Sequence, residues 1–391
     1  MKFFSAQYIF TNTSSPVKRG IIVTEDDGTI INVEDNSGII REKHSVEFHN
    51  GIIIPGFVNC HCHLELSYLK NVIPSGNGLP DFLANISLSR NSVNSDKSKA
   101  IREADKELLN EGVVLCADIC NDESTFSRKK ESNIKYISLL EVFGIDSSRA
   151  EKRMNEITDV GNKAGEMELP YFIVPHSVYS VSLELLRLIK KQSESNRISS
   201  VHFLESAGEE QLLKSQSGPL MDAYRKFLLP FSDLNIPEDH VSAVLNEITT
   251  SGNLLLVHNT FIKKEHINGL KNRKGIFWCL CPNSNLYIEN RVPPADLLDE
   301  ERCNIVIGTD SLASNKSLSM IGEMKTLQDH FPEVPLGKLI RWATLNGAIA
   351  LGEENSFGSI EPGKKPGLVL IKDADLVNLR ILPPTTVKRL I

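Results

Sequence analysis

The sequence predicts an α/β chain: a (β/α)8 TIM-like barrel with a small composite β-sandwich domain assembled from the N- and C-terminal segments. Three features of the 391 residues carry that expectation. Eight short apolar runs alternate with helical stretches, both chain ends read as strand without helical period, and histidines recur where the apolar runs stop.

Residues 1 to 55 alternate in a β manner. Gly20-Ile21-Ile22-Val23 is joined to Thr29-Ile30-Ile31-Asn32-Val33 through Glu25-Asp26-Asp27-Gly28, a hairpin signal. From Gly56 the pattern changes. Strands are expected at 56–63, 112–120, 135–144, 169–177, 199–206, 254–260, 277–284 and 304–311, each a short apolar run. Helical patterns lie between most of them; the one at 100–109 ends in Glu111-Gly112 and feeds the strand at Val113. Helix followed by buried strand implies βα units, and eight of them suggest a closed parallel barrel.

Two connections are longer than the rest: 64–95, holding Pro74, Gly76, Gly78 and Pro80, and 207–236, holding Gly208, Gly218, Pro219 and Pro230. Both leave strands at the end where barrel active sites are built, which favours lids or specificity loops over surface insertions. Beyond the last strand, helices near 317–329 and 336–351 precede the turn Gly358-Ser359-Ile360-Glu361-Pro362-Gly363 and the strand Leu368-Val369-Leu370-Ile371. The expected division is 1–55 plus 355–391 in the sandwich and 56–354 in the catalytic barrel.

Composition narrows the function. Net charge is −7 with a pI near 5.9, and Lys and Arg are scattered, which argues against nucleic acid or a membrane as partner and favours a small molecule. Every apolar stretch falls well short of the roughly 18 residues a membrane span needs. The start, Met1 to Gln7, breaks off before a signal-peptide core, so a cytoplasmic location is expected. Seven cysteines, at 60, 62, 116, 120, 279, 281 and 303, lie mostly in apolar runs, which suits buried reduced thiols.

The chemistry concentrates first in Gly56-Phe57-Val58-Asn59-Cys60-His61-Cys62-His63. Side chains alternate along a strand, so His61 and His63 share a face and make half of a metal site; two core histidines are the competing reading. Further ligand types decide between them. His176, His202 and His258 end later strands, and the eighth strand brings Asp310 in Ile307-Gly308-Thr309-Asp310-Ser311. His61, His63, His202 and Asp310 together supply the N and O ligands of one catalytic divalent cation, with a position left for water. Glu205, three residues past His202, can reach that water without ligating, as a general acid/base. His258 and Asp310 could both hydrogen-bond the water, and a core role is the alternative for His258. Residues 169–180 hold no Lys or Glu to bridge two metals, so a single cation is expected; His176 there contacts substrate or serves as a structural imidazole.

His61-Cys62-His63-Leu64-Glu65, Pro175-His176-Ser177-Val178-Tyr179-Ser180, His202-Phe203-Leu204-Glu205, His258-Asn259, Cys281-Pro282-Asn283-Ser284-Asn285, Gly308-Thr309-Asp310-Ser311 and the tail from Ala343 to Lys364 resemble the amidohydrolase superfamily. More narrowly the chain looks like its aminohydrolase and chlorohydrolase branch, which includes S-adenosylhomocysteine, guanine, cytosine and aminodeoxyfutalosine deaminases and the triazine hydrolases. The resemblance spans nearly the whole chain. It implies a distorted (β/α)8 barrel with a composite β-sandwich, one Zn²⁺ or Fe²⁺ with Zn²⁺ first, an N-heterocyclic small-molecule substrate, and a homodimer. Carried over by position, it implies that His61, His63, His202 and Asp310 bind metal, Glu205 shuttles protons, His258 orients the attacking water and His176 contacts substrate. Lys364-Lys365-Pro366-Gly367-Leu368 departs from the family, which carries Asp or Ala-Asp before the final strand; that touches the sandwich and not the site.

The implied reaction is hydrolytic deamination: Glu205 protonates a ring nitrogen, activated water attacks the amino-bearing carbon, and ammonia leaves. The His63 to Ser67 run and Leu79-Pro80-Asp81-Phe82-Leu83 look like aminodeoxyfutalosine deaminases, which places an adenine-bearing nucleoside first. Glu65, Arg90 and Arg225 either contact the non-reacting half of the substrate or are surface charges, and Ser284 and Asn285 either line the pocket or close a turn. Two alternatives stand beside the deaminase. One is a hydrolase of a cyclic amide or a C–Cl bond, separable by ammonia release; the other is a non-catalytic barrel acting as a binding protein, which the intact ligand set opposes.

Overall fold

A computed structural model describes residues 1–39, 45–93, 95–226, 234–248 and 250–391. The N-terminal strands are β1 (Lys2–Ile9), β2 (Val17–Lys18), β3 (Ile21–Thr24), β4 (Ile30–Glu34) and β5 (Val46–Pro55). The expected hairpin is β3–β4, antiparallel with Ile21 opposite Glu34. Its turn needs Gly28, whose φ of 92° a side chain would strain.

Eight parallel strands follow: β6 (Phe57–Cys62), β7 (Val113–Cys120), β8 (Lys135–Val142), β9 (Tyr171–Pro175), β10 (Ile198–Phe203), β11 (Asn253–His258), β12 (Ile276–Leu280) and β13 (Ile305–Ile307). They form two four-stranded sheets, β6-β7-β8-β9 and β10-β11-β12-β13. All eight lie where the apolar runs place them, but several stop short: β9 ends before His176 and β13 before Asp310, so these residues stand on loops at the C-terminal edges. Single parallel bridges join the sheets at both seams, Ser177 with His202 and Cys62 with Asp310. The N–H groups of Thr309 and Asp310 both donate to the His61 carbonyl at 3.0 Å, and that of His202 to the His176 carbonyl at 2.8 Å. Gly308 permits the first of these approaches, since a Cβ there would lie 2.7 Å from His61 Cβ and 2.9 Å from its backbone nitrogen.

β14 (Leu368–Lys372) and β15 (Thr386–Arg389) close the chain. β14 pairs antiparallel with β5, Leu368 opposite Pro55, so both chain ends meet in one seven-stranded sheet ordered β15-β14-β5-β1-β3-β4, with β2 on β1.

The sheets are held by apolar residues on both faces. One face packs on helices: Val113, Cys116 and Leu140 belong to one apolar cluster with Leu108, Leu185 and Ile189. On the other, Leu115, Ala117, Leu139, Leu255, Val257, Phe277 and Cys279 from both sheets form a single cluster capped by Ala348, Ala350 and Leu351. All seven cysteines are free thiols, six of them buried.

Three connections differ from the sequence reading. The helix expected over 336–351 is two, Leu336–Trp342 and Leu345–Ala350, because the Ala343 carbonyl leaves the helical pattern to accept the Val58 N–H at 2.9 Å. The 64–95 connection folds into a 3-10 turn, Leu64–Leu69, and a helix, Leu79–Ser92. The 207–236 connection carries helices Gly208–Ser215 and Pro219–Lys226, while residues 227–233, Pro230 among them, lie outside the described residues. Among the described residues no helix is long and apolar enough to cross a membrane.

Candidate active site

The residues singled out at the strand ends converge. His61 and His63 place their Nε2 atoms 3.1 Å apart, and Asp310 Oδ1 lies 3.6 and 3.4 Å from them. The ring of His202 is 4.9 Å from that of His61 and is stacked between His176, at 4.5 Å, and His258, at 5.2 Å. The donor atoms of His61, His202 and His258 fall within 4.8 Å of one another, as do those of His61, His63 and Asp310.

Backbone strain accompanies this convergence. Leu204, His258, Asn259 and Asp310 adopt left-handed φ values of 50°, 79°, 58° and 57°, a conformation that non-glycine residues keep only where the surroundings enforce it. Here the enforcement is visible. Asn259 Nδ2 donates to the Leu256 and Cys279 carbonyls at 2.7 and 3.2 Å, and Asp310 Oδ2 accepts the Ser284 and Ser314 hydroxyls, each at 2.6 Å. With Oδ2 so occupied, Oδ1 is the oxygen turned to the imidazoles.

Burial sets the protonation. It pushes His176 down to about 4, with the Arg90 charge adding to the effect, and His202 down to about 3, with His176 adding. Burial likewise holds His63 and His258 well below the usual histidine value. These four rings are neutral at pH 7, the form that ligates metal. His202 Nδ1 donates to the His176 carbonyl at 2.8 Å, which leaves Nε2 with its lone pair free. Burial opposes charge on Asp310, but hydrogen bonding from His61 and the facing His63 and His258 hold its carboxyl well below the usual range. Glu205 goes the opposite way: burial and the nearby Asp310 charge raise it well above the usual carboxylate value, so it carries a proton at neutral pH. Its Oε1 is 3.6 Å from His258 Nε2.

The set fits a divalent cation. Buried imidazole nitrogens of His61 and His63 and the Asp310 carboxylate oxygen face one another at 3.1–3.6 Å, N and O donors of the types that ligate such an ion.

Beside this cluster opens a cavity of about 410 Å³, lined by His63, His176, His202, Glu205, His258 and Asp310 at its base. Both long connections supply its walls: Leu66, Leu79, Phe82, Leu83, Ile86 and Arg90 from the first and Tyr224 from the second. Arg90 thus faces the cavity, its Nη2 donating to Asn121 Oδ1 at 3.2 Å. The other expected contacts stand elsewhere. Ser284 and Asn285 are fully buried behind the site, Ser284 on Asp310 and Asn285 with its amide nitrogen 3.1 Å from His258 Nδ1. Arg225 is exposed and pairs with Asp222 at 3.3 Å. Glu65 sits beneath the cavity wall, accepting the Asn121 N–H at 2.7 Å with Arg90 3.9 Å away.

Glu65 yields a pH test. Burial pushes its carboxyl up to about 8 against the Asn121 hydrogen bond, from an ordinary 4.5. A raised folded-state value means the contribution is full below about pH 4.5 and is lost as the pH climbs through about 8. Relative to Glu65→Gln, which cannot ionise, the wild-type melting temperature should therefore fall between those limits; a constant difference would contradict a neutral Glu65.

Two acids escaped the sequence reading. Glu141, in Ile137-Ser138-Leu139-Leu140-Glu141-Val142, is buried and lines the cavity; its Oε2 accepts from Asn121 Nδ2 at 3.2 Å, while Oε1 stands 3.4 Å from His202 Nδ1 and accepts no hydrogen bond among the described residues. Asp118 pairs with the equally buried Lys129 at 2.7 Å and accepts the N–H of Leu64, the residue after His63, at 2.8 Å. The signal for both was present, an acid inside a buried apolar strand.

The fold and the donor set define the class. Residues 52–388 match the Amidohydrolase family, and the chain belongs to it. An adenosine deaminase of Helicobacter pylori is 27% identical over 337 residues, covering 82% of this chain and 79% of its own. A 5-methylthioadenosine/S-adenosylhomocysteine deaminase of Clostridium tetani is 27% identical over 386 residues, covering 94% and 83%. Among solved structures, Helicobacter pylori aminofutalosine deaminase in complex with methylthio-coformycin superposes with a TM-score of 0.82 at 22% identity, covering 96% of this chain and 93% of that one.

Proposed function

We propose that the chain is a metal-dependent deaminase that hydrolyses the exocyclic amine of an adenosine-type nucleoside. One observation carries the reading: a buried Glu205, its carboxyl raised well above the usual value by burial, stands 3.6 Å from His258 at the base of a nucleoside-sized cavity, against the cluster of imidazoles and Asp310. Deaminases among the relatives support it.

His61, His63, His202 and Asp310 would hold the cation, zinc first; when bound it supplies Lewis-acid activation of water and charge stabilisation. The protein's own groups do the rest. Glu205 gives its proton to the ring nitrogen beside the amino-bearing carbon, which makes that carbon electrophilic. The resulting carboxylate then takes one proton from the attacking oxygen and passes it to the leaving amine, and takes the second as ammonia departs, so that a carbonyl forms and Glu205 regains its proton. His258 orients the attacking oxygen, and His176, stacked on His202, presents its edge to the heterocycle. Phe82, Leu79 and Ile86 exclude water and hold the apolar face of the base.

Glu141 fits the sugar. Its Oε1 accepts no hydrogen bond from the described residues, with His202 Nδ1 3.4 Å away, and a substrate hydroxyl is a donor that would complete it. Glu141→Gln is therefore expected to raise KM for adenosine about tenfold or more, one charge-assisted hydrogen bond, with kcat little changed. An unchanged KM would remove that contact. We read the two-part architecture in the same light, with 56–354 as a closed catalytic barrel and 1–55 plus 355–391 as its composite β-sandwich.

The direct test is ammonia release by the zinc-loaded protein from adenosine, 5-methylthioadenosine, S-adenosylhomocysteine, aminodeoxyfutalosine, guanine and cytosine. Release from the adenosine-type members is expected. Turnover of none of them, with release of chloride from a chlorotriazine, would overturn the reading.

A further inference from the structure

Glu205 stands on a turn, not on a strand. β10 ends at Phe203 and Leu204 takes its left-handed φ of 50°, so the N–H groups on either side of Glu205 have left the sheet. One side chain captures both. Glu209 Oε2 accepts the Leu204 N–H at 3.1 Å and Glu209 Oε1 accepts the Ser206 N–H at 2.9 Å. The same Oε2 accepts a third bond, from His240 Nε2 at 2.8 Å. Glu209 is 0% and His240 3% exposed, and neither lines the cavity.

His240 opens the helix His240–Asn246, beyond the 207–236 connection, and its ring meets Phe203 edge-on with centroids 5.4 Å apart. The catalytic turn is thereby fixed from two directions, by the strand it leaves and by a buried acid that a distant helix holds in place. A carboxylate with only local duties would need neither His240 nor two acceptor oxygens that bracket a single residue.

We propose that Glu209, held by His240, is a positioning residue for Glu205. This rests on Glu205 being the proton carrier. Proton transfer requires the carboxyl within hydrogen-bond reach of its partners, and a turn freed at Leu204 and Ser206 lets Glu205 swing away from His258. Neither residue touches the substrate or the cation donors, so substrate binding and metal content stay untouched.

The experiment compares zinc-loaded wild type with Glu205→Gln, Glu209→Gln, His240→Gln and the Glu205→Gln/Glu209→Gln double variant, using adenosine as probe and crystal structures of wild type and Glu209→Gln. Glu209→Gln should lower kcat about 30-fold, part of the roughly 10²–10⁴-fold that a placed proton donor contributes, with KM and bound zinc unchanged. His240→Gln, whose amide can still donate to Glu209, should stay within about threefold of wild type. The double variant should be no slower than Glu205→Gln alone, the non-additivity of residues acting as a unit. In crystals of Glu209→Gln the Glu205 carboxyl should leave its 3.6 Å contact with His258. A lower melting temperature with unchanged kcat, or Glu205 unmoved in the crystal, overturns the proposal. A dead Glu205→Gln beside a fully active Glu209→Gln refutes the positioning role alone, whereas an active Glu205→Gln refutes the proton carrier itself; the crystals decide without any turnover.

Discussion

Glu205→Gln is expected to lower kcat by about 10²- to 10⁴-fold while zinc content and melting temperature stay at wild-type values. The substitution keeps the shape and the neutral charge that burial and Asp310 already impose on this carboxyl, so the fold has little reason to respond. What it removes is the transferable proton. Since an amide neither delivers a proton to a ring nitrogen nor collects one from the attacking oxygen, both halves of the reaction fail and KM is nearly unmoved. The wild-type pH profile should show the same group: kcat declines on the alkaline side as Glu205 ionises, and that limb disappears in the residual activity of the variant. Steady-state kinetics with metal analysis checks this, and wild-type kcat in the variant removes Glu205 from the mechanism.

Removal of the metal by a chelator is expected to abolish turnover, and re-addition of Zn²⁺ at about a hundred times its Kd to restore it and to stabilise the fold by about 2.7 kcal/mol. The pH dependence should be unusual for a histidine site. Burial keeps the ligand His202 neutral down to about 3 and holds the ligand His63 well below the usual histidine value, so protons do not compete for these nitrogens across the range where exposed histidines, near 6.5, would charge and release metal. Zinc affinity of the folded protein should hold nearly level from pH 8 to about pH 5. The metal-free fold behaves differently. Its depressed histidines mean that the unfolded chain takes up protons below about 6.5 that the folded chain refuses, so its stability is lost progressively as the pH falls from there toward 3. Calorimetric titration with Zn²⁺ and melting curves at several pH values measure both; a drop in affinity centred near pH 6.5 would show that the rings are not held neutral.

Much of this site was legible because strand ends are where chemistry and pattern coincide. His61, His63, His202, His258 and Asp310 each follow an apolar run, and parallel strands carry their C-terminal ends to one edge, so position along the chain sufficed to bring them together. Orientation was not legible in the same way. Ser284 and Asn285 were candidates for the cavity, but β12 stops at Leu280 and a helix begins at Pro282, which turns Ser284 onto Asp310 and Asn285 onto His258. Glu209 read as an unremarkable member of a long connection, since its role depends on His240, thirty-one residues away. The break at Ala343 depended on a single hydrogen bond to Val58, which no local periodicity encodes. Glu141 and Asp118 are a different case: each is an acid inside a buried apolar strand, a signal present in the sequence that the reading of strand ends passed over.

The two seams constrain how such a chain can change over evolutionary time. The sheets are stitched at Ser177–His202 and Cys62–Asp310, next to or on the very residues that present the donors, so drift at those positions loosens architecture and reactivity together. The walls given by the Leu79–Ser92 helix and by Tyr224 belong to neither seam. New substrates can be explored there by ordinary side-chain replacement, while the donor cluster stays tied to the bridges between the two sheets.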